Sequence, residues 1–144
     1  MQAQDVMRSE VQSVSETTTL RELSRAFRHY GVTSIPVINE KDKLVGVVNE
    51  ADLLRAMLPN YAELQDNLQY MQDFEYLEDR ANEVENLPVK DIMVRGTISV
   101  DKKAPLMRVI SLFLLKSYSH IPVVEKDEII GVVTRTDICE LMFN

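Results

Sequence analysis

Residues 34–52 read SIPVINEKDKLVGVVNEAD, and residues 120–137 read HIPVVEKDEIIGVVTRTD. Each stretch holds a β-branched run with one proline, a charged turn, a second run broken by one glycine, and a polar residue three positions ahead of an aspartate. Two β-branched runs around a short polar turn predict a hairpin. The polar residue before Asp52 or Asp137 predicts a helix start. A pattern that recurs predicts a fold built from a repeated unit.

The match extends outward from both hairpins. At an offset of 86, Asp5, Met7, Ser13, Val14, Leu20, Phe27, Ile35, Pro36 and Val37 recur as Asp91, Met93, Ser99, Val100, Leu106, Phe113, Ile121, Pro122 and Val123. Dropping one residue in the turn brings Gly46, Val47, Val48, Asp52 and Met57 onto Gly131, Val132, Val133, Asp137 and Met142. Each unit reads as a short lead-in (Asp5 to Met7, or Asp91 to Met93) and an extended stretch ending at Val14 or Val100. A helix follows, about Thr19 to Tyr30 in the first copy, with Thr17 or Thr18 to cap it and Gly31 to end it. In the second copy Pro105 suits the first helical turn. The hairpin (Ser34 to Ile38 and Leu44 to Val48; His120 to Val124 and Ile129 to Val133) and a last helix from Asn49 or Thr134 complete a β-α-β-β-α unit. The fold class is therefore α+β, with residues 1–58 as repeat one, 59–88 as a helical insertion and 89–144 as repeat two.

The net charge of −7 is confined to that insertion. Between Pro59 and Pro88 lie eight acids and one base, leaving fifteen of each elsewhere. Tyr61, Leu64, Leu68, Met71, Phe74, Leu77, Ala81 and Val84 recur there at helical spacing, so the acids read as the solvated face of amphipathic helices. An acidic chain repels phosphate backbones, which argues against nucleic acid as a partner. The longest purely apolar run, Leu112 to Leu115, is far short of a membrane span. With no apolar leader at residues 1–10, the cytosol is the expected location. The lone Cys139, aligned with Leu54, reads as a small packed hydrophobe, and with two histidines it suggests no metal site.

The first helices of the copies differ. LRELSRAFRHY is amphipathic, whereas LMRVISLFLLK is apolar nearly all round and needs cover on every face. Leu112, Leu115 or their neighbours are therefore expected against a second copy of the chain, the alternative being burial between the repeats.

Two units of I-P-V followed by L/I-x-G-V-V-x-x-x-D resemble a cystathionine β-synthase-type (CBS) domain pair, or Bateman module. The resemblance implies two units packed sheet to sheet with pseudo-twofold symmetry, adenosine-containing ligands (AMP, ADP, ATP or S-adenosylmethionine) in the clefts between them, and homodimers formed through the helices. It also implies that Asp137 binds ribose hydroxyls, that Thr134 reaches ribose or phosphate, and that Thr97, Ile98 and Ser99 lie on the adenine side. The first copy departs from the pattern, with Asn49 ahead of Asp52 and Val11, Gln12 and Ser13 for the adenine segment, which puts its ligand in doubt.

The residue chemistry is compatible with such a site. Gly46 and Gly131 allow a ligand or another backbone to approach a strand closely, and the prolines of Ile35-Pro36 and Ile121-Pro122 free backbone groups near a base edge. Ser34, Ile35 and Pro122 join the candidate set on that ground. His120 and Arg135, with His29 and Arg28 behind them, are candidates for phosphate. A T-x-x-D step is equally a helix cap, so both readings of Asp137 stand at this point.

No G-x-S-x-G, P-loop, G-x-G-x-x-G or H-E-x-x-H motif is present, and no catalysis is expected. The function expected is a regulatory module that binds an adenine nucleotide, requires no cofactor and signals to a protein partner in trans. The alternative is a ligand-silent dimerisation scaffold that docks a partner through the acidic helices.

Overall fold

A computed structural model describes residues 1–58, 74–116 and 118–144. The first hairpin pairs β2 (Ser34–Ile38) with β3 (Leu44–Asn49), and the second pairs β6 (His120–Glu125) with β7 (Glu128–Thr134). Both are antiparallel, with Pro36 opposite Val47 and Pro122 opposite Val132. The one-residue gap between the copies falls in the turns: Lys126 and Asp127 both take positive φ and close the second hairpin in two residues, while the first needs the longer Asn39–Lys43 link.

The extended stretches begin, rather than end, at Val14 and Val100. These short strands, β1 (Val14–Ser15) and β5 (Val100–Asp101), run parallel to β2 and β6. They pair with Val37 and Ile38, or Val123 and Val124, so neither proline faces a ladder on that side.

Helix α2 (Leu20–Tyr30) ends at Gly31 in the left-handed conformation, as its sequence predicts. Its cap is Thr19, not Thr17 or Thr18: Thr19 Oγ1 accepts from Glu22 N at 3.2 Å, while Thr18 is drawn back to accept from Ser15 N. The equivalent helix of repeat two, α5 (Leu106–Lys116), starts immediately after Pro105. Helices α3 (Glu50–Met57) and α6 (Arg135–Phe143) follow the hairpins.

The lead-ins cross over. Residues 1–8, at the start of repeat one in sequence, complete repeat two: short helix α1 (Ala3–Val6) seats the fully buried Ala3 among Val100, Leu106, Val109, Phe113 and Ile121. Arg8 and Val132 then exchange backbone hydrogen bonds of 2.8 and 2.9 Å on the outer side of β7. In the opposite direction, the 3₁₀ turn Val89–Asp91 buries Val89 and Met93 among Leu20, Leu23, Ile35 and Val48, and β4 (Val94–Arg95) pairs antiparallel with β3. The first sheet thus runs β1-β2-β3-β4, its last strand borrowed from the lead-in of repeat two.

This exchange accounts for two repeated residues at once. A Cβ on Gly46 would lie 2.7 Å from the Val94 carbonyl oxygen and 2.9 Å from Met93 Sδ; on Gly131 it would lie 2.9 Å from the Arg8 carbonyl oxygen and 2.4 Å from Met7 Sδ. It is the crossing backbone with its methionine that approaches each glycine.

Of the insertion, residues 59–73 lie outside the described residues, and with them Tyr61, Leu64, Leu68 and Met71. Helix α4 (Phe74–Val84) turns Leu77, Ala81 and Val84 inward and leaves Glu75, Glu78, Asp79 and Glu83 exposed, whereas Phe74 is 69% exposed and lies off the expected stripe. Cys139, expected to pack, is exposed, because α6 contacts its sheet through Ile138 and the next position turns away. On α5, Leu106, Val109 and Phe113 are buried and Leu112 half-buried, but Met107, Leu114 and Leu115 are 72 to 79% exposed, so burial of that helix between the repeats does not occur.

Candidate functional site

The repeats meet at both ends of their hairpins. At the turns, Leu44 N donates to Asp127 O, and Lys43 Nζ donates to Lys126 O at 2.8 Å. At the strand starts, His120 Nε2 lies 3.4 Å from the Ser34 carbonyl oxygen, and Ser119 Oγ is 2.8 Å from His120 Nδ1. A carbonyl only accepts, so Nε2 carries a proton and both ring nitrogens are engaged within the protein.

Beside this junction is a cleft of about 500 Å³, within the range of small-ligand sites. Repeat one contributes Thr33, Ser34 and Pro36 from the start of β2, Val47 from β3, and Asn49, Glu50 and Ala51 from the start of α3. The crossing segment contributes Val94, Thr97 and Ile98, and repeat two contributes Tyr118, Ser119, His120 and Pro122. The cleft is thus composite: valine, isoleucine and proline side chains line it together with hydroxyl and amide groups. Among the described residues, the hydroxyls of Thr33 and Ser34 and the Asn49 amide nitrogen have no hydrogen-bond partner within the protein.

Of the twelve candidates from sequence, six line this cleft: Ser34, Asn49, Thr97, Ile98, His120 and Pro122. Ile35 is fully buried in the core beneath it. Ser99 borders a smaller cavity of about 170 Å³ with Gly96, Thr97 and Asp127. Thr134, Arg135 and Asp137 lie at the start of α6 and not on this cleft, and Asp52 is buried below the start of α3. Because the lead-ins cross, Thr97 and Ile98 meet the Asn49 helix start and not the Thr134 start that follows them in sequence. Glu50, Thr33 and Tyr118 are cleft residues that the sequence reading passed over. Glu50 sits between Asn49 and Asp52 and was visible as a charge at a helix start. His29 is exposed and stacks edge-on with Tyr30, 5.1 Å between ring centres, while Arg28 borders a shallower pocket beyond Glu50.

Both N/T-x-x-D steps cap their helices, but they use the aspartate differently. In α3, Asp52 N donates to Asn49 Oδ1 and Asn49 N donates to Asp52 Oδ2, each at 2.9 Å, and Arg55 Nη2 donates to Asp52 Oδ1 at 2.6 Å. In α6, Asp137 N donates to Thr134 Oγ1 at 3.1 Å, while the carboxylate receives a fork from Arg8: Nε at 2.9 and 3.0 Å and Nη2 at 2.6 Å. Partial burial pushes the Asp137 carboxyl up. Hydrogen bonds from Arg8 and Thr134, with the charge of Arg8, outweigh this and hold it below its ordinary value, and Arg8 is raised in return by its hydrogen bond to Asp137.

Among the described residues no group of three or more His, Cys, Asp or Glu is placed to hold a metal, and no helix is long and apolar enough to cross a membrane. The fold is shared with solved structures. That of CBSX2 in complex with AMP superposes with a TM-score of 0.73 at 24% identity, covering 98% of this chain and 95% of that one. The CBS domain pair of protein MJ0100 in complex with 5′-methylthioadenosine and S-adenosyl-L-methionine gives 0.69 at 18% identity, covering 99% and 95%. In sequence, an uncharacterized protein of Methanocaldococcus jannaschii is 26% identical over 99% of this chain and 91% of its own length. The chain spans 60% of an uncharacterized Methanopyrus kandleri relative that is 24% identical over 95% of this chain. The model of the CBS domain matches residues 3–59 and 89–144, and the chain belongs to that family as a pair of CBS repeats.

Proposed function

We propose that this CBS pair is a regulatory module that binds an adenosine-containing ligand in the cleft between its repeats and passes the occupancy to a protein partner in trans. The carrying observation is the composite cleft: its walls come from both repeats and from the crossing segment, so a ligand held there touches all three at once. Two family members of the same fold hold AMP, or 5′-methylthioadenosine and S-adenosylmethionine, which supports the ligand class. Signalling requires the ligand to bind two arrangements of the repeats unequally. No catalytic role and no required cofactor belong to this reading, and the cytosol is its setting.

A thermal-shift panel of adenosine, 5′-methylthioadenosine, AMP, ADP, ATP and S-adenosylmethionine tests it. A ligand at 100 times its dissociation constant adds about 2.7 kcal/mol to stability. Absence of any shift at millimolar concentration removes the sensor reading and leaves the scaffold alternative, in which the acidic helix docks the partner.

The exposed Met107, Leu114 and Leu115 on α5, with Met142 and Phe143 on α6, favour a homodimer through these helices. Light scattering reads it directly: Leu114→Glu with Leu115→Glu converts a dimer to a monomer, and a wild-type chain already monomeric at high concentration ends this part of the proposal.

A further inference from the structure

Resting on the adenosine reading of the cleft, we infer that the cleft selects nucleosides without a 5′-phosphate, neutral or sulfonium-bearing, and that Glu50 is the residue that sets this selectivity. Phosphate recognition is built from Arg or Lys, or from free amides at a helix N-terminus. Among the described residues the cleft has no Arg or Lys, and at the α3 start only the Ala51 amide is left without an acceptor. Its one carboxylate, Glu50, has no ion-pair or hydrogen-bond partner among the described residues.

The start of α3 offers almost no free amide. Asn49 N is bound by the Asp52 carboxylate, Glu50 N by the Thr33 carbonyl at 3.1 Å, and Asp52 N by Asn49 Oδ1. Both nitrogens of His120 are likewise engaged. A phosphate dianion there would face the unpaired Glu50 and meet no Arg or Lys among the described lining residues, Arg55 being already paired with Asp52. Ribose hydroxyls need no charge, and the unpartnered hydroxyls of Thr33 and Ser34 and the Asn49 amide suit them.

The α6 start is the contrasting end. Arg135 stands where Glu50 stands in the repeat, and Arg8 lies alongside on Asp137. The inference concerns the Asn49 end alone.

Calorimetric titration of the full chain with adenosine and with AMP, which differ only in the phosphate, is the test, repeated on Glu50→Lys and Glu50→Gln. Glu50 is exposed at a helix start, so both variants should fold, which circular dichroism checks. Adenosine should bind at least tenfold tighter than AMP to the wild type. Glu50→Lys should shift the AMP-to-adenosine affinity ratio at least tenfold toward AMP, with Glu50→Gln between. AMP binding the wild type as tightly as adenosine, or a ratio unmoved by Glu50→Lys, overturns the inference while sparing the adenosine reading. No binding of either compound defeats both.

Discussion

The starts of α3 and α6 descend from one repeated step, yet they have become different objects. At Asn49-Glu50-Ala51-Asp52 the aspartate is sealed under its own helix, and an acid borders the cleft. At Thr134-Arg135-Thr136-Asp137 the aspartate is drawn out to an arginine from the far end of the chain. Symmetry of sequence has given a symmetric scaffold with unlike chemistry at its two ends. The capping role is shared; what each carboxylate does beyond capping depends on which lead-in lies alongside.

The largest test of this comparison addresses the scaffold that both ends share. Gly46→Ala and Gly131→Ala each drive a methyl into a crossing backbone carbonyl, and overpacking of this kind costs about 1–3 kcal/mol, read as a lowered denaturant midpoint. Equal losses would mean that both crossings brace the fold alike. An unaffected midpoint for either variant would break the account of that glycine.

Next in size is the aspartate pair. Asp52→Ala leaves the Asn49 N–H and Arg55 without their acceptor and should cost about 1–2 kcal/mol, visible in thermal melts of the unliganded protein. Asp137→Ala keeps the Thr134 cap and should cost less. The reverse order would show that the Arg8 fork, not the cap, is the stronger element.

The smallest effect is a pH dependence. The Asp137 carboxyl titrates below its ordinary 3.8, so its contribution is complete above that value and disappears as pH falls through the lower folded value. Arg8→Ala removes the main cause of the depression and should move the acid unfolding limb to higher pH. An acid limb that does not move would mean that Thr134 alone holds the carboxylate down.

How much of this was legible in the sequence follows from what period and caps encode. The hairpins, α2 with Gly31 behind it, and the helix starts at Asn49 and Thr134 are local, and their residues specify them. The crossing of the lead-ins is not local. The identities Asp5/Asp91 and Met7/Met93 show that the segments are equivalent but not which repeat each one covers. For that reason sequence order groups Thr97 and Ile98 with Asp137, whereas the fold places them with Asn49. Exposure on α6 escaped for a related reason: spacing shows which positions share a face, but whether Cys139 is covered depends on what packs there.

The crossed lead-ins also order events during synthesis. Arg8 cannot reach its strand partner until Val132 has left the ribosome, so residues 1–8 are made more than a hundred residues before the strand that seats them. Contacts of such sequence separation are slow to form. Because each repeat lacks a piece of its core until the other is present, neither half has a finished state of its own, and the pair should melt as a single cooperative unit.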